Sequence, residues 1–194
     1  MKKALVVIDV QESFRARPMW QAINNPEIAK SVSRLVEKSR ADGDLVVWVL
    51  HTEPDTGGVF DPALGHVRLL DGLAPIPGEP TITKTSHNAF TTTSLQQVLT
   101  SAGVGEVIVC GIRTEQCVET TARVASDFGY QVVFAIDATA TNPIEHWSAP
   151  AGRSIEEILA DPRTLSADAI TERTAYALAG RFATIKTVEE LAGS

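Results

Sequence analysis

The feature that most constrains this chain is an alternation. Short, almost continuously apolar runs, ALVVID (4–9), LVVWVL (45–50), EVIVCG (106–111), QVVFAID (131–137) and FATI (182–185), take turns with stretches of helical period. A weaker run, TITK (81–84), lies between the second and third of them. Runs without polar alternation suit strands covered on both faces, as in a parallel sheet. Between them, IAKSVSRLVEKSRADG (28–43) sets Ile28, Val32, Leu35 and Val36 on one helical face and ends near Gly43. SLQQVLTSAGV (94–104) ends in Gly103. CVETTARVASDFGY (117–130) aligns Val118, Ala122, Ala125 and Phe128 and stops at Gly129. The closing TVEELAGS reads as a short last helix. The pattern predicts an α/β chain: a three-layer, doubly wound αβα arrangement around a mainly parallel sheet. With 194 residues there is room for one good core and not for two ordinary domains, so residues 1–194 read as a single domain.

In such folds ligands bind outside the carboxyl ends of the strands, near the point where strand order reverses. The residues just after each apolar run therefore matter most: Asp9, His51, Lys84, Ile112 to Cys117, and Asp137 to Thr141. Two irregular stretches, 52–80 and 141–170, interrupt the alternation and read as binding loops or lids. The second of them contains a short helical stretch, SIEEILA (154–160).

Composition narrows the partners. A formal net charge of −7 argues against nucleic acid or an anionic membrane surface, though a small anionic substrate held by one local arginine stays open. The two cysteines, Cys110 and Cys117, lie too close together to staple distant parts of a fold and match no CxxC motif. The N-terminal apolar run is too short for a signal peptide and ends in Asp9. No apolar segment reaches the roughly 20 residues of a membrane span. The expectation is a cytoplasmic protein acting on a small molecule.

Cys117 is the residue that most asks for a function. Cys110 sits inside an apolar run and reads as a small core hydrophobe. Cys117 follows the polar Thr114, Glu115 and Gln116 at the first turn of a helix, where backbone N–H groups and the helix dipole stabilise a thiolate. The inert reading of Cys117 and the nucleophilic one are both open on position alone. Asp9 is either a strand-end cap or a base, and Lys84 either a surface lysine or a cation beside a thiolate. Together they place an acid, a base and a nucleophile at the ends of three separate strands.

Four stretches carry a resemblance: ALVVIDVQESF (4–14), TKTSHNAFTTTSLQQVL (83–99), VIVCGIRTEQCVETTARVASDFGY (107–130) and VVFAIDATA (132–140). They are similar to the isochorismatase-like cysteine hydrolase family, which includes nicotinamidases, N-carbamoylsarcosine amidase, ureidoacrylate-type hydrolases and true isochorismatases. The third stretch, of the form VxxxGxxTxxCVxxTAxxAxxxGY, is the most specific. The resemblance implies a six-stranded sheet in the Rossmann-like order 3-2-1-4-5-6. It implies a catalytic triad of Asp9, Lys84 and Cys117, a cis peptide at Ile112–Arg113, and an oxyanion hole built from the backbone amides of Arg113 and Cys117. It also implies homo-oligomers, dimers or tetramers. The mechanism that follows is cleavage of a C–N bond in a small amide, ureide or carbamoyl compound through a Cys117 thioester, with no cofactor.

Departures from the family pattern set the alternatives. Nicotinamidases carry a metal site near the second strand; here His51, Asp55, Asp61 and His66 are present with a different spacing, so no metal is expected. His51 instead reads as a strand-end hydrogen-bonder or pocket wall. Phe14, His51, Phe90 and Arg113 are the candidate substrate contacts. Arg113 either selects a carboxylate or points to solvent, and Phe90 either walls the pocket or packs in the core. Thr114 and Gln116 read as residues that structure the loop. Two other functions remain beside amide hydrolysis: an isochorismate-type vinyl ether hydrolase, and a non-catalytic small-molecule-binding member.

Overall fold

The computed structural model describes residues 1–193. Six strands form one sheet: β1 (Lys2–Ile8), β2 (Leu45–His51), β3 (Thr81–Lys84), β4 (Val104–Ile112), β5 (Gln131–Ala140) and β6 (Thr184–Lys186). Their spatial order is β3-β2-β1-β4-β5-β6, and every neighbouring pair is parallel. This is the doubly wound order expected from the alternation and the resemblance. The helices are α1 (Glu12–Arg15), α2 (Ile28–Asp42), α3 (Leu95–Ser101), α4 (Glu119–Asp127), α5 (Ile155–Ala160), α6 (Ala167–Leu178) and α7 (Val188–Ala192). No helix among the described residues is long and apolar enough to cross a membrane.

Successive strand side chains point to opposite faces, and the core divides accordingly. In β1, Ala4, Val6 and Ile8 pack into one layer with Leu95, Leu99, Val118, Ala122 and Ala125 of the α3/α4 side. Leu5 and Val7 pack into the other with Ile28, Val32, Leu35 and Val36 of α2. Both faces of the strands are covered, which is why the runs carry no polar alternation. The helix over 28–43 ends as expected, with Gly43 in the left-handed region at φ 75°.

Several expectations need correction. The fifth strand continues past residue 137 to Ala140 through a bulge, because the register with β4 steps from Val109–Phe134 to Gly111–Thr139. The last strand is Thr184–Lys186, displaced from the FATI run. Phe128, expected on the buried face of α4, is 48% exposed because the helix ends at Asp127. The Ala167–Leu178 helix was not anticipated at all. Its moderate apolar stripe, Ala167, Ile170 and Leu178, hides among polar residues, and Ser166 caps its start by accepting the Ala169 N–H. The 141–170 segment is tied down by the antiparallel bridge Ile144–Leu165 and by Arg153, which pairs with Glu145 and Asp161. Ser194, the end of the expected terminal helix, lies outside the described residues.

One close approach positions the carboxyl edge. Gly111 has φ 129°, and a Cβ there would sit 1.9 Å from the Ile8 carbonyl oxygen. Only glycine lets β1 and β4 come together where their chains leave the sheet. Gly111→Ala is expected to cost about 3 kcal/mol or more, or to prevent folding, as measured by thermal and denaturant unfolding.

Candidate active site

Strand order reverses between β1 and β4, and both strands deliver a functional group to that edge. Asp9 follows β1 with φ 54°, a left-handed conformation that short polar side chains tolerate best. Its N–H bonds to the Val49 carbonyl at 2.8 Å, so the turn is tied to β2. Lys84 ends β3. Cys117 lies in a single π-helical turn, Thr114–Val118, that leads into α4. The peptide bond Ile112–Arg113 is cis, as the resemblance implied.

The three side chains meet. Lys84 Nζ is 2.7 Å from Asp9 Oδ2 and 3.4 Å from Cys117 Sγ, and the Lys84 and Asp9 side chains are wholly buried. Lys84 also donates to the Ser86 carbonyl at 3.1 Å and faces His51 Nδ1 at 3.3 Å. The ammonium has three N–H donors for these four partners, so they share it.

Burial sets the proton affinities. It raises the Asp9 pKa, against the opposing charge of Lys84. Burial and the nearby Asp9 carboxylate push the Cys117 thiol up to about 12, Lys84 opposing them. Cys117 thus rests as a thiol, despite its place at a helix start, beside a carboxylate that can take its proton. Burial also raises the Cys110 thiol, which lies in the opposite core layer. Burial and Lys84 lower the His51 pKa, so the ring is neutral. With Lys84 donating to Nδ1, the proton sits on Nε2, 3.3 Å from Glu53 Oε1.

A wall of rings stands beside Lys84. His51 meets Phe60 edge-on at 5.4 Å, and Phe60 meets Phe14 edge-on at 5.0 Å. Phe14 and His51 thus lie together as candidate contacts. Phe90 does not join them. It packs against Phe128 and Tyr130 at the far end of α4, a core position. The Arg113 guanidinium pairs with Glu115 at 2.9 Å and donates to Thr141 Oγ1 at 3.2 Å, so it turns neither fully outward nor directly onto Lys84. Of the four residues weighed for a metal, His51 faces Lys84, while Asp61 accepts the amides of Gly57 and Ala63 and so shapes its own loop.

Sequence reasoning gave no part in the site to Gln11, Phe60 or Thr121. Buried Gln11 donates to the His51 carbonyl at 3.0 Å and accepts the His51 N–H at 2.7 Å, locking the ends of β1 and β2 together. Its place two residues after Asp9 was the available signal. Phe60 could not be placed because it arrives from a long loop. Thr121 accepts the Ala89 N–H at 3.0 Å and donates to the Cys117 carbonyl at 2.6 Å, joining the SHNAF segment to the cysteine turn. Thr114 does structure the loop: it donates to Thr139, which donates to the Ile136 carbonyl in the β5 bulge. Glu119, buried at the start of α4, accepts from Arg123, Arg173 and Thr174 and so holds the cysteine helix to α6.

A family model described as "Isochorismatase domain" matches residues 3–165. The isochorismatase family protein YddQ of Bacillus subtilis (strain 168) is 31% identical over 190 residues, covering 97% of this chain and 98% of that protein. A streptothricin hydrolase of Streptomyces noursei is 37% identical over 143 residues, covering 73% of this chain; the chain spans 56% of that protein's length. A solved isochorismatase of Pseudomonas putida KT2440 superposes with a TM-score of 0.83 at 28% identity, over 97% of this chain and 89% of that one.

Removing Lys84 leaves the Asp9 carboxylate buried without its counter-charge. Lys84→Met is expected to cost about 3–5 kcal/mol, and adding Asp9→Asn to recover much of it, in denaturant unfolding. A second expectation concerns pH. The folded Cys117 thiol ionises near 12 and the unfolded one near 9. A raised folded pKa gives stability that is complete below the unfolded value and is lost as pH rises toward the folded one. By about pH 10 the parent should lose about 1 kcal/mol more stability than Cys117→Ala, both measured by denaturant unfolding.

Proposed function

This chain belongs to the isochorismatase family, and on that premise we propose that it is a cysteine hydrolase cleaving a C–N bond of a small amide, ureide or carbamoyl compound. The observation that carries the reading is one buried ammonium, Lys84, within reach of both a carboxylate, Asp9, and a thiol, Cys117. Two relatives are named for hydrolysis, which supports the reading: the streptothricin hydrolase, and nicotinamidase 3 of Arabidopsis thaliana, 34% identical over 152 residues, 71% of this chain and 73% of that protein.

Asp9 takes the thiol proton as the sulfur attacks the carbonyl carbon. Its raised pKa makes it a stronger base than an exposed carboxylate, and the Lys84 ammonium stabilises the developing thiolate. The backbone amides of Arg113 and Cys117 hold the oxyanion. Collapse of the tetrahedral species breaks the C–N bond, and Asp9 passes its proton to the leaving amine. A water molecule, deprotonated by Asp9, then attacks the thioester. The acid product leaves and the thiol regains its proton. Neutral His51, fixed by Lys84 and Glu53, and Phe14 line the approach.

The test is release of ammonia or amine from a panel of small amides, ureides and carbamoyl amino acids. Cys117→Ala and Asp9→Asn are each expected to lower kcat by about a thousandfold or more on any substrate the parent turns over. Full activity in Cys117→Ala would overturn the nucleophile. Burial also favours the protonated form of Asp9, which suits the acid of a vinyl ether hydrolase. Turnover of isochorismate by the parent and by Cys117→Ala alike would identify that chemistry instead.

A further inference from the structure

Lys84 and Cys117 come from different elements, and a single hydroxyl closes the path between them. Lys84 ends β3, and its ammonium donates to the Ser86 carbonyl two residues on. The segment after it is bonded to itself. Thr92 Oγ1 accepts the N–H groups of Thr85 and Ser86 at 3.1 and 3.2 Å. Ser86 Oγ donates to the Asn88 carbonyl at 2.9 Å, and Asn88 Oδ1 accepts the N–H groups of Phe90 and Thr91, both at 2.9 Å. Thr93 Oγ1 donates to the Ala89 carbonyl. A segment with this many internal bonds is stiff and moves as one piece.

Thr121 fastens that piece to the cysteine helix. It is buried, 1% exposed. Its hydroxyl accepts the N–H of the buried Ala89 at 3.0 Å, which leaves its one proton for the Cys117 carbonyl, 2.6 Å away. The path Lys84, Ser86, Ala89, Thr121, Cys117 closes on the 3.4 Å approach of Nζ to Sγ. A threonine bonded to the carbonyl four residues back is ordinary in a helix. Thr171 of α6 does the same, donating to the Ala167 carbonyl at 3.0 Å and accepting from Asn24 Nδ2 at 3.1 Å. The two threonines differ in what they tie. Thr171 ties α6 to the segment before α2. Thr121 ties the residue that carries the sulfur to the segment that carries the ammonium. A misplacement of about 1 Å between such groups can cost about a hundredfold in rate.

We infer that Thr121 is a positioning residue: it sets the distance between Lys84 and Cys117, so that the ammonium meets the sulfur as the thiol loses its proton. The inference rests on the reading of Cys117 as nucleophile. Both bonds of the Thr121 hydroxyl go to backbone groups, so it acts through the placement of Cys117 and not as a catalytic group.

The experiment removes the hydroxyl and keeps the shape. The parent, Thr121→Val, Thr121→Ser and Thr171→Val are compared as full chains, well below their unfolding temperatures. One readout is alkylation of Cys117 by iodoacetamide at about pH 8.5, followed by mass spectrometry. The other is kcat and KM on any panel compound that the parent turns over; where there is none, alkylation decides by itself. Thr121→Val is expected to lower the alkylation rate and kcat about tenfold each, with KM within about twofold of the parent. Thr121→Ser should restore both rates. Thr171→Val loses the matching pair of bonds on another helix and should leave both unchanged. Unchanged or faster rates in Thr121→Val, no rescue by serine, or an equal fall in Thr171→Val overturns the inference. Should Thr121→Val not fold, the exposed Thr92→Val loosens the same segment from its other end and is held to the same two readouts. Cys117→Ala separates the two readings. If it is inactive while Thr121→Val is unaffected, the positioning role fails alone. A parent in which Cys117 is not alkylated, or in which Cys117→Ala keeps full turnover, loses the nucleophile reading and the positioning role with it.

Discussion

The structure depends on a buried ion pair. Lys84 and Asp9 are fully enclosed, at the ends of two strands separated in the sheet by β2. Enclosing two charges costs more than an exposed pair returns, unless the remaining donors and acceptors are met. For Lys84 they are met by the edge itself: a backbone carbonyl at Ser86, the neutral His51 ring and the Cys117 sulfur. Gln11 bonds twice to the backbone of His51 and keeps that ring in place. The carboxyl edge is therefore held together by polar groups in a region that the rest of the sheet leaves apolar.

That arrangement explains the state of the thiol. A lone cysteine at a helix start would favour its thiolate. Cys117 is instead buried beside a carboxylate, and both effects hold the proton on sulfur. The raised proton affinity of Asp9 narrows the gap between donor and acceptor, so proton transfer can accompany attack rather than precede it. An unreactive resting thiol also limits adventitious alkylation or oxidation, which proceed through the thiolate. Lys84 serves both partners: it balances Asp9 at rest and the sulfur once the proton has moved.

The outer ring of the site has a different character. Phe14, Phe60 and His51 form an edge-to-face series. Segment 68–70 runs back along residues 10–12, with Glu12 N–H on the Arg68 carbonyl and Leu70 N–H on the Val10 carbonyl. This pins the long loop that carries Phe60 to the exit of β1. The chemistry thus sits on strand ends, and the surface that meets a ligand sits on loops fastened to them.

Much of this was legible in the chain. The apolar runs specified a parallel sheet because both faces of each strand must be covered, and the residue ending each run marked the carboxyl edge. Asp9, Lys84 and Cys117 could be named from that rule and from the resemblance. Gly111 was present in the motif, but its reason, the Ile8 carbonyl 1.9 Å from where a Cβ would be, exists only once β1 and β4 are paired. The same holds for proton affinities, which depend on desolvation and on charges brought together from distant parts of the chain. Phe90 shows the limit most clearly. Beside the lysine motif it reads equally as pocket wall or core, and only the packing of α4 turns its ring toward Phe128 and Tyr130. Local sequence determines periodicity, strand ends and residue chemistry because these are properties of neighbours along the chain. Burial, charge pairing and ring contacts are properties of neighbours in space, so the tertiary structure alone decided them.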